Sequence, residues 1–572
     1  HLLCLLVALP AFPSGLRPTH TAKVMVVSVH HDASDAGVEV LKQGGNAVDA
    51  AVATGFALAV VHPAAGNIGG GGFMLFRSAN GQVHFLDYRE KAPLAATATM
   101  YQDAAGNVVA GLSTVGYKAS GVPGSVAGMA KARKLWGKLS LAQDMAPAIR
   151  LARDGFVLSW QEAQQLHAKH LADFPESRRI FQRDGNFYAT GDTFRQPDLA
   201  RTLERIAANP DDFYHGEIAK AIAGEMKAHG GLITARDLAE YTAPERTPIH
   251  GTYRGLDVYS APPPSSGGIT LVEMLNILEG YDLAKMGSRG VDSMHLTVEA
   301  MKRAFMDRAQ LLGDADFSTV PTAQLIDKRY AEKWRATVDP RHTEPAREMR
   351  RPNFEGLDQY ARAPALGKEP TETTHFSVVD AEGNAVSVTT TLNGGFGSSV
   401  TVPGFGFLLN NEMDDFTSKV GVPNMFGLMQ SAANAVGPGH RPLSAMAPTI
   451  VTKDGKLFMV LGSPGGPTII TTVLNVLQGV VDYGMDIQQA VAAPRFHHQW
   501  LPDLIQIEPG FSPDTLRLLM GRGHHFKQEG VPDFRNTKGY WGDAECIMID
   551  PGTGERLGGQ DPRSGYGKAA GY

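Results

Sequence analysis

Thr371-Glu372-Thr373-Thr374-His375-Phe376-Ser377-Val378-Val379-Asp380, continuing through Ala381-Glu382-Gly383-Asn384 to Thr391-Leu392-Asn393, is the stretch on which the fold turns. Two extended segments flank a loop of turn-tolerant residues, which is the pattern of a β-hairpin. If the loop is symmetric about Glu382, Val379 pairs with Ala385, and the register carried outward sets Thr373 opposite Thr391. Directly opposed residues have Cβ atoms about 4.5–5.5 Å apart, close enough for two hydroxyls to bond. Threonine is also simply a good strand former, so the pair alone is compatible with a structural role.

Around the hairpin, 572 residues of which 43% are hydrophobic can bury a large core, a length that by itself suggests several domains. A net charge of −6 gives no basic footprint for nucleic acid and no polybasic membrane signal, so small solutes are the expected partners. Residues 1–12 are apolar and read as the h-region of a truncated secretory signal, or else as a buried N-terminal strand. The first reading implies a periplasmic or secreted protein. Of the two cysteines, Cys4 lies in that run, leaving Cys546 and no disulfide framework. No other run reaches the ~20 apolar residues of a membrane span; residues 47–61 come nearest and carry Asp49.

In chain order, residues 23–29 read as a buried strand, 35–42 as a short helix, and 47–61 as a small-residue helix capped by Asn46. Gly69 to Gly72 lead into a strand at Phe73. A phosphate-cradling loop should leave a strand and enter a helix, so the dinucleotide reading fails on order. Residues 83–90 form an alternating strand ending at Arg89, either a solvated terminus or a fork for a carboxylate. From Gly121 to about Leu312 the pattern is mainly helical, with segments at 125–136, 141–153, 162–173, 196–208, 218–229 and 291–312. Pro262-Pro263-Pro264-Ser265-Ser266-Gly267-Gly268 interrupts it as a stiff turn, a connector or a site-lining loop. Residues 350–372 read as a mobile surface linker running straight into Thr373.

Beyond the hairpin, residues 406–416 read as a strand ending in a polar cluster, and 417–440 have the composition of a lid. Strands follow at 449–452, 457–461, 504–508 and 546–549, and helices at 467–483 and 515–522. Gly465 and Gly466 immediately precede the helix that opens with Pro467. Backbone N–H groups at a helix N-terminus can hold a developing oxyanion, although Gly-Gly before a helix is also an ordinary turn. His497-His498 and His30-His31 invite a metal reading, but neighbours on a strand point to opposite faces and lack ligand-spaced partners; no metal or cofactor is expected.

Gly44-Gly45-Asn46-Ala47-Val48-Asp49-Ala50-Ala51, the Pro262 to Gly268 turn, Thr373-Thr374-His375, Leu409-Asn410-Asn411 through Asp415, Gly462 to Gly466, and Ala493-Pro494-Arg495-Phe496-His497-His498 together resemble the γ-glutamyltranspeptidases, which are N-terminal-nucleophile hydrolases. Many matches in one order are more specific than any single one. The resemblance implies an α+β fold, a four-layer αββα sandwich made as an inactive precursor. It implies self-cleavage between Glu372 and Thr373 into a large subunit, residues 23–372, and a small subunit, residues 373–572, preceded by a leader, residues 1–22. Cleavage would free the Thr373 α-amine, whose reference pKa of about 7.7–8.0 suits a base near neutrality.

The same matching implies that Thr373 is the nucleophile, that Thr391 orients it, and that Gly465 and Gly466 hold the oxyanion. Arg89 and Ser444 would bind the substrate α-carboxylate, Asn393, Glu412 and Asp415 the α-ammonium, and Phe426 would cover the pocket as a lid. The implied substrates are glutathione and other γ-glutamyl compounds, with water, amino acids or dipeptides as acceptors. Ala445 stands where bacterial members commonly have a second serine, and Phe426 where tyrosine is frequent, so donor affinity and water exclusion are expected to differ. Two other readings stay open: a cephalosporin-type acylase on the same scaffold, and a catalytically silent γ-glutamyl-binding protein. Paired Glu412 and Asp415 argue against a glutaryl substrate, which has no ammonium to neutralise them.

Overall fold

The hairpin closes in the register its symmetry dictates. In the computed structural model, which describes residues 16–357, 373–419, 422, 432–528 and 541–572, Thr374–Val379 pairs antiparallel with Ala385–Thr391, joining Val379 to Ala385 and Thr374 to Thr390. Asp380 fixes the loop: its Oδ1 accepts from the N–H groups of Glu382 (2.9 Å) and Asn384 (3.0 Å). Its Oδ2 accepts from Ala47 N–H at 2.9 Å, so the same side chain ties the hairpin to the start of the helix Ala47–Val61.

The hairpin sits at the centre of a seven-stranded sheet in the spatial order Lys568–Gly571, Met25–Ser28, Thr374–Val379, Ala385–Thr391, Gly71–Arg77, Val83–Asp87, Glu245–Arg246. A second seven-stranded sheet runs Thr19–Thr21, Arg556–Gly559, Cys546–Ile549, Lys456–Leu461, Thr449–Lys453, Leu256–Ser260, Ile249–Tyr253. Strand side chains alternate between faces. Val26, Met74, Phe76, Phe376 and Val378 therefore enter one core. Met25, Val27, Phe73, Leu75 and Val379 enter another, shared with the second sheet. Serines stitch the sheets together: Ser377 Oγ donates to Glu545 O (2.7 Å) and Ser387 Oγ to Leu461 O (2.9 Å).

Helices His31–Lys42, Ala47–Val61 and Ser125–Trp136 cover the outer face of the first sheet, and Gly267–Leu278 and Ile487–Ala492 that of the second. The result is the expected αββα sandwich. All fifteen residues of Ala47–Val61 are buried, and the Asn46–Asp49 capping box satisfies its first N–H groups. With both faces against protein, small side chains are what allow that helix to lie so close. Among the described residues, no helix is long and apolar enough to cross a membrane.

Several sequence expectations need correction. The supposedly helical region 121–312 contains the hairpin Ile249–Tyr253/Leu256–Ser260, turned at Arg254-Gly255, both with positive φ (49° and 79°), the signature of a two-residue hairpin loop. Residues 162–173 form a short helix, Trp160–Gln165, and a 3-10 turn, Lys169–Asp173. Pro467 is the N-cap of Thr468–Val481 instead of its first residue. Residues 406–416 do not form a strand. Asn410 Oδ1 accepts from Gly121 N–H (2.9 Å) and Glu412 N–H (3.0 Å), so side-chain bonds replace a ladder. The chain then makes a 3-10 turn at Glu412–Asp415. The leader run 1–15, most of the linker 350–372 with Glu372, and the lid residue Phe426 lie outside the described residues.

Candidate active site

Thr373 stands one residue before the central strand, and its Oγ1 lies 3.3 Å from Thr391 Oγ1. Thr391 Oγ1 also accepts from Asn393 N–H at 2.8 Å, which fixes the hydroxyl by its lone pair and directs its proton elsewhere. Asn393 adopts a left-handed backbone, φ 75°, and its Nδ2 donates to Asn411 O at 3.0 Å, so the bend after the strand is held from two sides. A cleft opens onto these hydroxyls. Arg89, Asn393, Glu412, Asp415, Ser444, Ala445 and Gly466 line it together with Thr373 and Thr391. Nearly every described site residue expected from sequence is thus brought to one place; Gly465 flanks the cleft without lining it.

Arg89 leaves the strand Val83–Asp87 in a tight turn, its N–H held by Asp87 Oδ1 (2.9 Å). Its Nη2 donates to Asp415 Oδ2 at 2.5 Å, its Nη1 to Glu412 Oε1, and its Nε to Pro442 O at 3.2 Å. The 3-10 turn explains the pairing, since residues i and i+3 eclipse and bring both acids to one guanidinium fork. Five guanidinium donors minus three leaves two for a ligand. Glu90, which sequence reasoning left unassigned, is buried with its carboxylate 3.7 Å from Arg89.

Three buried carboxyls therefore gather around the Arg89 guanidinium. Burial, opposed by Arg89 and reinforced by the neighbouring acids, raises Glu412 well above the usual carboxylate range. Burial likewise raises Asp415, and pushes Glu90 up to about 7. Burial and mutual repulsion thus favour the protonated form across the cluster, and nearby positive charge favours the ionised one.

Ser444 Oγ accepts from Met446 N–H (3.0 Å), which leaves its own proton to donate. Ala445, beside it, adds no hydroxyl. Leu443, Met446 and Ile469 complete the lining, apolar residues that carry no sequence signal for a site.

On the opposite side, Gly462 meets the strand Thr374–Val379 so closely that a Cβ there would sit 2.1 Å from His375 Cε1. Ser377 Oγ gives its proton to Glu545 O, so it accepts from His375 Nε2–H (3.1 Å), and His375 Nδ1 accepts from Thr389 Oγ1 (2.9 Å). Burial holds this ring neutral, pushed down to about 3. Gly465 (φ 130°) and Gly466 (φ 56°) occupy backbone that other residues rarely adopt, and neither N–H has a hydrogen-bond partner among the described residues. The turn can thus present N–H groups to an anion.

Behind that turn lie two further buried acids. Asp543 N–H donates to Ser463 Oγ (3.1 Å), and the Asp543 and Glu545 carboxyls face each other beside Asp561, Arg495 and Arg563. Asp543 Oδ1 and both Glu545 oxygens have no hydrogen-bond partner, and a proton shared between two such buried carboxyls would relieve them. Burial first, then the neighbouring carboxylates, raises both well above the usual range. A raised carboxyl contributes stability present in full below its unfolded value near 4 and lost as pH rises through the folded one. Glu545→Gln, which keeps a donor for Asp543, is therefore expected to gain thermal stability relative to wild type as pH rises above the ordinary carboxylate range, the gap widening with pH. Melting curves that stay parallel would refute the shared proton.

Two groups among the described residues place three potential metal ligands within 4.8 Å: His30, His31 and Asp32, and His295, Glu299 and His524. In the second, Glu299 already pairs with Lys302 (3.1 Å) and Arg303 (2.6 Å), and His295 Nδ1 shares a proton with His524 Nε2 (2.8 Å), so ion pairing accounts for the cluster without a metal. Neither group lines the cleft. His497 bonds Thr471 Oγ1 and Gln499 Oε1, and His498 bonds Asp503 Oδ1, so these rings are engaged by protein.

Comparison with known proteins gives the family. The family model described as Gamma-glutamyltranspeptidase matches residues 33–572. The chain is 49% identical over 562 residues to a glutathione hydrolase proenzyme of Pseudomonas sp. (strain A14), covering 97% of this chain and 95% of that one. It is 49% identical over 559 residues to the protein of the same name from Escherichia coli (strain K12), covering 97% and 93%. Among solved structures, a cephalosporin acylase from Bacillus halodurans superposes with a TM-score of 0.82 at 29% identity, covering 99% of both chains. With a family match spanning nearly the whole chain and relatives near half identity end to end, this protein belongs to the γ-glutamyltranspeptidase family.

Proposed function

We propose that this chain is a precursor that cuts itself before Thr373 and then transfers γ-glutamyl groups to water or to amines, acting on glutathione and related γ-glutamyl amides. The observation that carries the reading is the common cleft: the Thr373–Thr391 hydroxyl pair at 3.3 Å opens onto Arg89, Glu412, Asp415 and Ser444. A nucleophile beside a reader for both charges of an amino acid fits a γ-glutamyl donor.

In the precursor, Thr373 Oγ attacks the Glu372 carbonyl, the C–N bond breaks, and nitrogen leaves as the Thr373 amine. Water hydrolyses the resulting ester and releases the Glu372 carboxylate. In catalysis, the freed amine takes the Thr373 hydroxyl proton as Oγ attacks the substrate γ-carbonyl. Gly465 and Gly466 N–H groups bear the oxyanion, and the proton goes to the departing amine. The γ-glutamyl ester is then resolved by water or by an acceptor amine. Thr391 orients the nucleophile throughout.

Recognition follows from charge. The two remaining Arg89 donors and the Ser444 hydroxyl suit an α-carboxylate, and an incoming α-ammonium adds positive charge beside the buried carboxyls of Glu90, Glu412 and Asp415. A glutaryl group brings only negative charge and leaves those buried carboxyls without the added cation. The apolar N-terminal run supports export to the periplasm or medium.

Release of aniline from L-γ-glutamyl and from glutaryl anilides separates this reading from an acylase. The γ-glutamyl compound should be turned over at least about 100-fold more efficiently, as expected for ~3 kcal/mol from one unpaired buried charge. Faster glutaryl turnover would overturn the zwitterion argument.

A further inference from the structure

The Pro262 to Gly268 turn is not used by the chemistry above, yet it grips the cleft. Ser266 is the N-cap of Gly267–Leu278, where a serine side chain normally accepts from the helix's own N–H groups. Here it makes no such bond. Its Oγ instead donates to the main-chain carbonyl of Ser444 at 2.6 Å and accepts from Arg308 Nε at 2.8 Å. The Ser266 N–H also donates to Ser444 O (2.8 Å), and Ser444 N–H returns a bond to Pro264 O (2.9 Å). Ser265 Oγ holds the next stretch through Met446 O at 2.6 Å.

Ser266, Arg308 and Ser444 are all at most 2% exposed, so water does not compete for these bonds. A charged donor feeding the Ser266 hydroxyl polarises it and strengthens the bond it gives to Ser444. Arg308 comes from the long helix Val291–Leu311, a rigid support reaching from the outer layer. Its charge also faces Asp415 and works against the upward push of burial on that carboxyl. One arginine thus bonds the serine that holds Ser444 and lends its charge to Asp415.

We propose that Ser266 and Arg308 are positioning residues for donor recognition: Arg308 fixes the Ser266 hydroxyl, which fixes the Ser444 backbone and so aims the Ser444 side chain at the substrate α-carboxylate. The inference rests on the γ-glutamyl reading above. Neither residue is required to touch substrate, and neither is among the residues that line the cleft.

The test uses the self-cleaved enzyme and three constants: KM and kcat for an L-γ-glutamyl anilide, the inhibition constant of L-glutamate, and that of 4-aminobutyrate, which keeps the ammonium but lacks the α-carboxylate. Ser266→Ala should raise KM and the L-glutamate constant about tenfold, with kcat within about threefold and the 4-aminobutyrate constant unchanged. Arg308→Lys, which keeps the charge and loses the fixed fork, should move the same two constants in the same direction by a smaller factor. Equal shifts for L-glutamate and 4-aminobutyrate would mean a merely structural role, and no shift in either would remove the positioning role altogether. If wild type itself released no aniline, the γ-glutamyl reading would fall instead, a result distinct from either.

Discussion

Thr373→Ala is expected to leave the chain as a single band on a denaturing gel, while wild type separates into fragments of roughly two-thirds and one-third of its length, the smaller beginning at Thr373. The expectation follows from the proposed chemistry, in which the hydroxyl that attacks substrate is also the one that cuts the precursor. Alanine at this position removes Oγ and leaves the strand that follows, Thr374–Val379, with its pairing to Ala385–Thr391 and to Met25–Ser28. Loss of one hydroxyl beside a buried strand costs about 1 kcal/mol, too little to unfold a sandwich of this size. An intact wild-type band, or a cleaved variant, would remove Thr373 from its proposed role.

The second large effect is expected at Arg89. Arg89→Met fills the space and removes the guanidinium fork that bonds both Glu412 and Asp415. Breaking a buried pair while leaving its partner charged costs about 3–5 kcal/mol. The acids would relieve that cost by taking up protons, so their carboxyls, already raised by burial, would rise further. Stability held by protonated carboxyls is present at low pH and lost as pH climbs through the folded value. The melting temperature of Arg89→Met should therefore fall below wild type by more at about pH 8 than at about pH 5, alongside loss of γ-glutamyl turnover at both. A variant that melts like wild type at every pH would show that the cluster is not balanced by Arg89.

Much of this site was legible in the sequence. The hairpin register needed only the length and symmetry of the loop at residues 380–384, because a strand period of two leaves no freedom once one pair is set. Gly69 to Gly72 entering a strand was read correctly from order alone. The Ile249–Tyr253/Leu256–Ser260 hairpin was missed amid helical neighbours, although Arg254-Gly255 is a usable turn signal. Residues 406–416 misled for a different reason: their apolar run looks extended, but Asn410 and Asn411 spend their side chains on backbone groups of distant segments, Gly121 and Thr114. Local pattern carries no trace of such partners.

By itself the sequence determined the central hairpin, the meeting of Thr373 with Thr391, and the family motifs, since these depend on spacing along one stretch of chain or on resemblance. Only the tertiary structure decided that Arg89 is gripped by the very acids expected to receive the ammonium. Only it revealed Glu90 as a third carboxyl in that cluster, and Ser266 as a capping serine turned away from its helix toward Ser444. The physical reason is that charge balance and hydrogen-bond satisfaction in a buried site are set by groups hundreds of residues apart. Their burial and proton sharing exist only once two sheets and two helical layers exclude water around them.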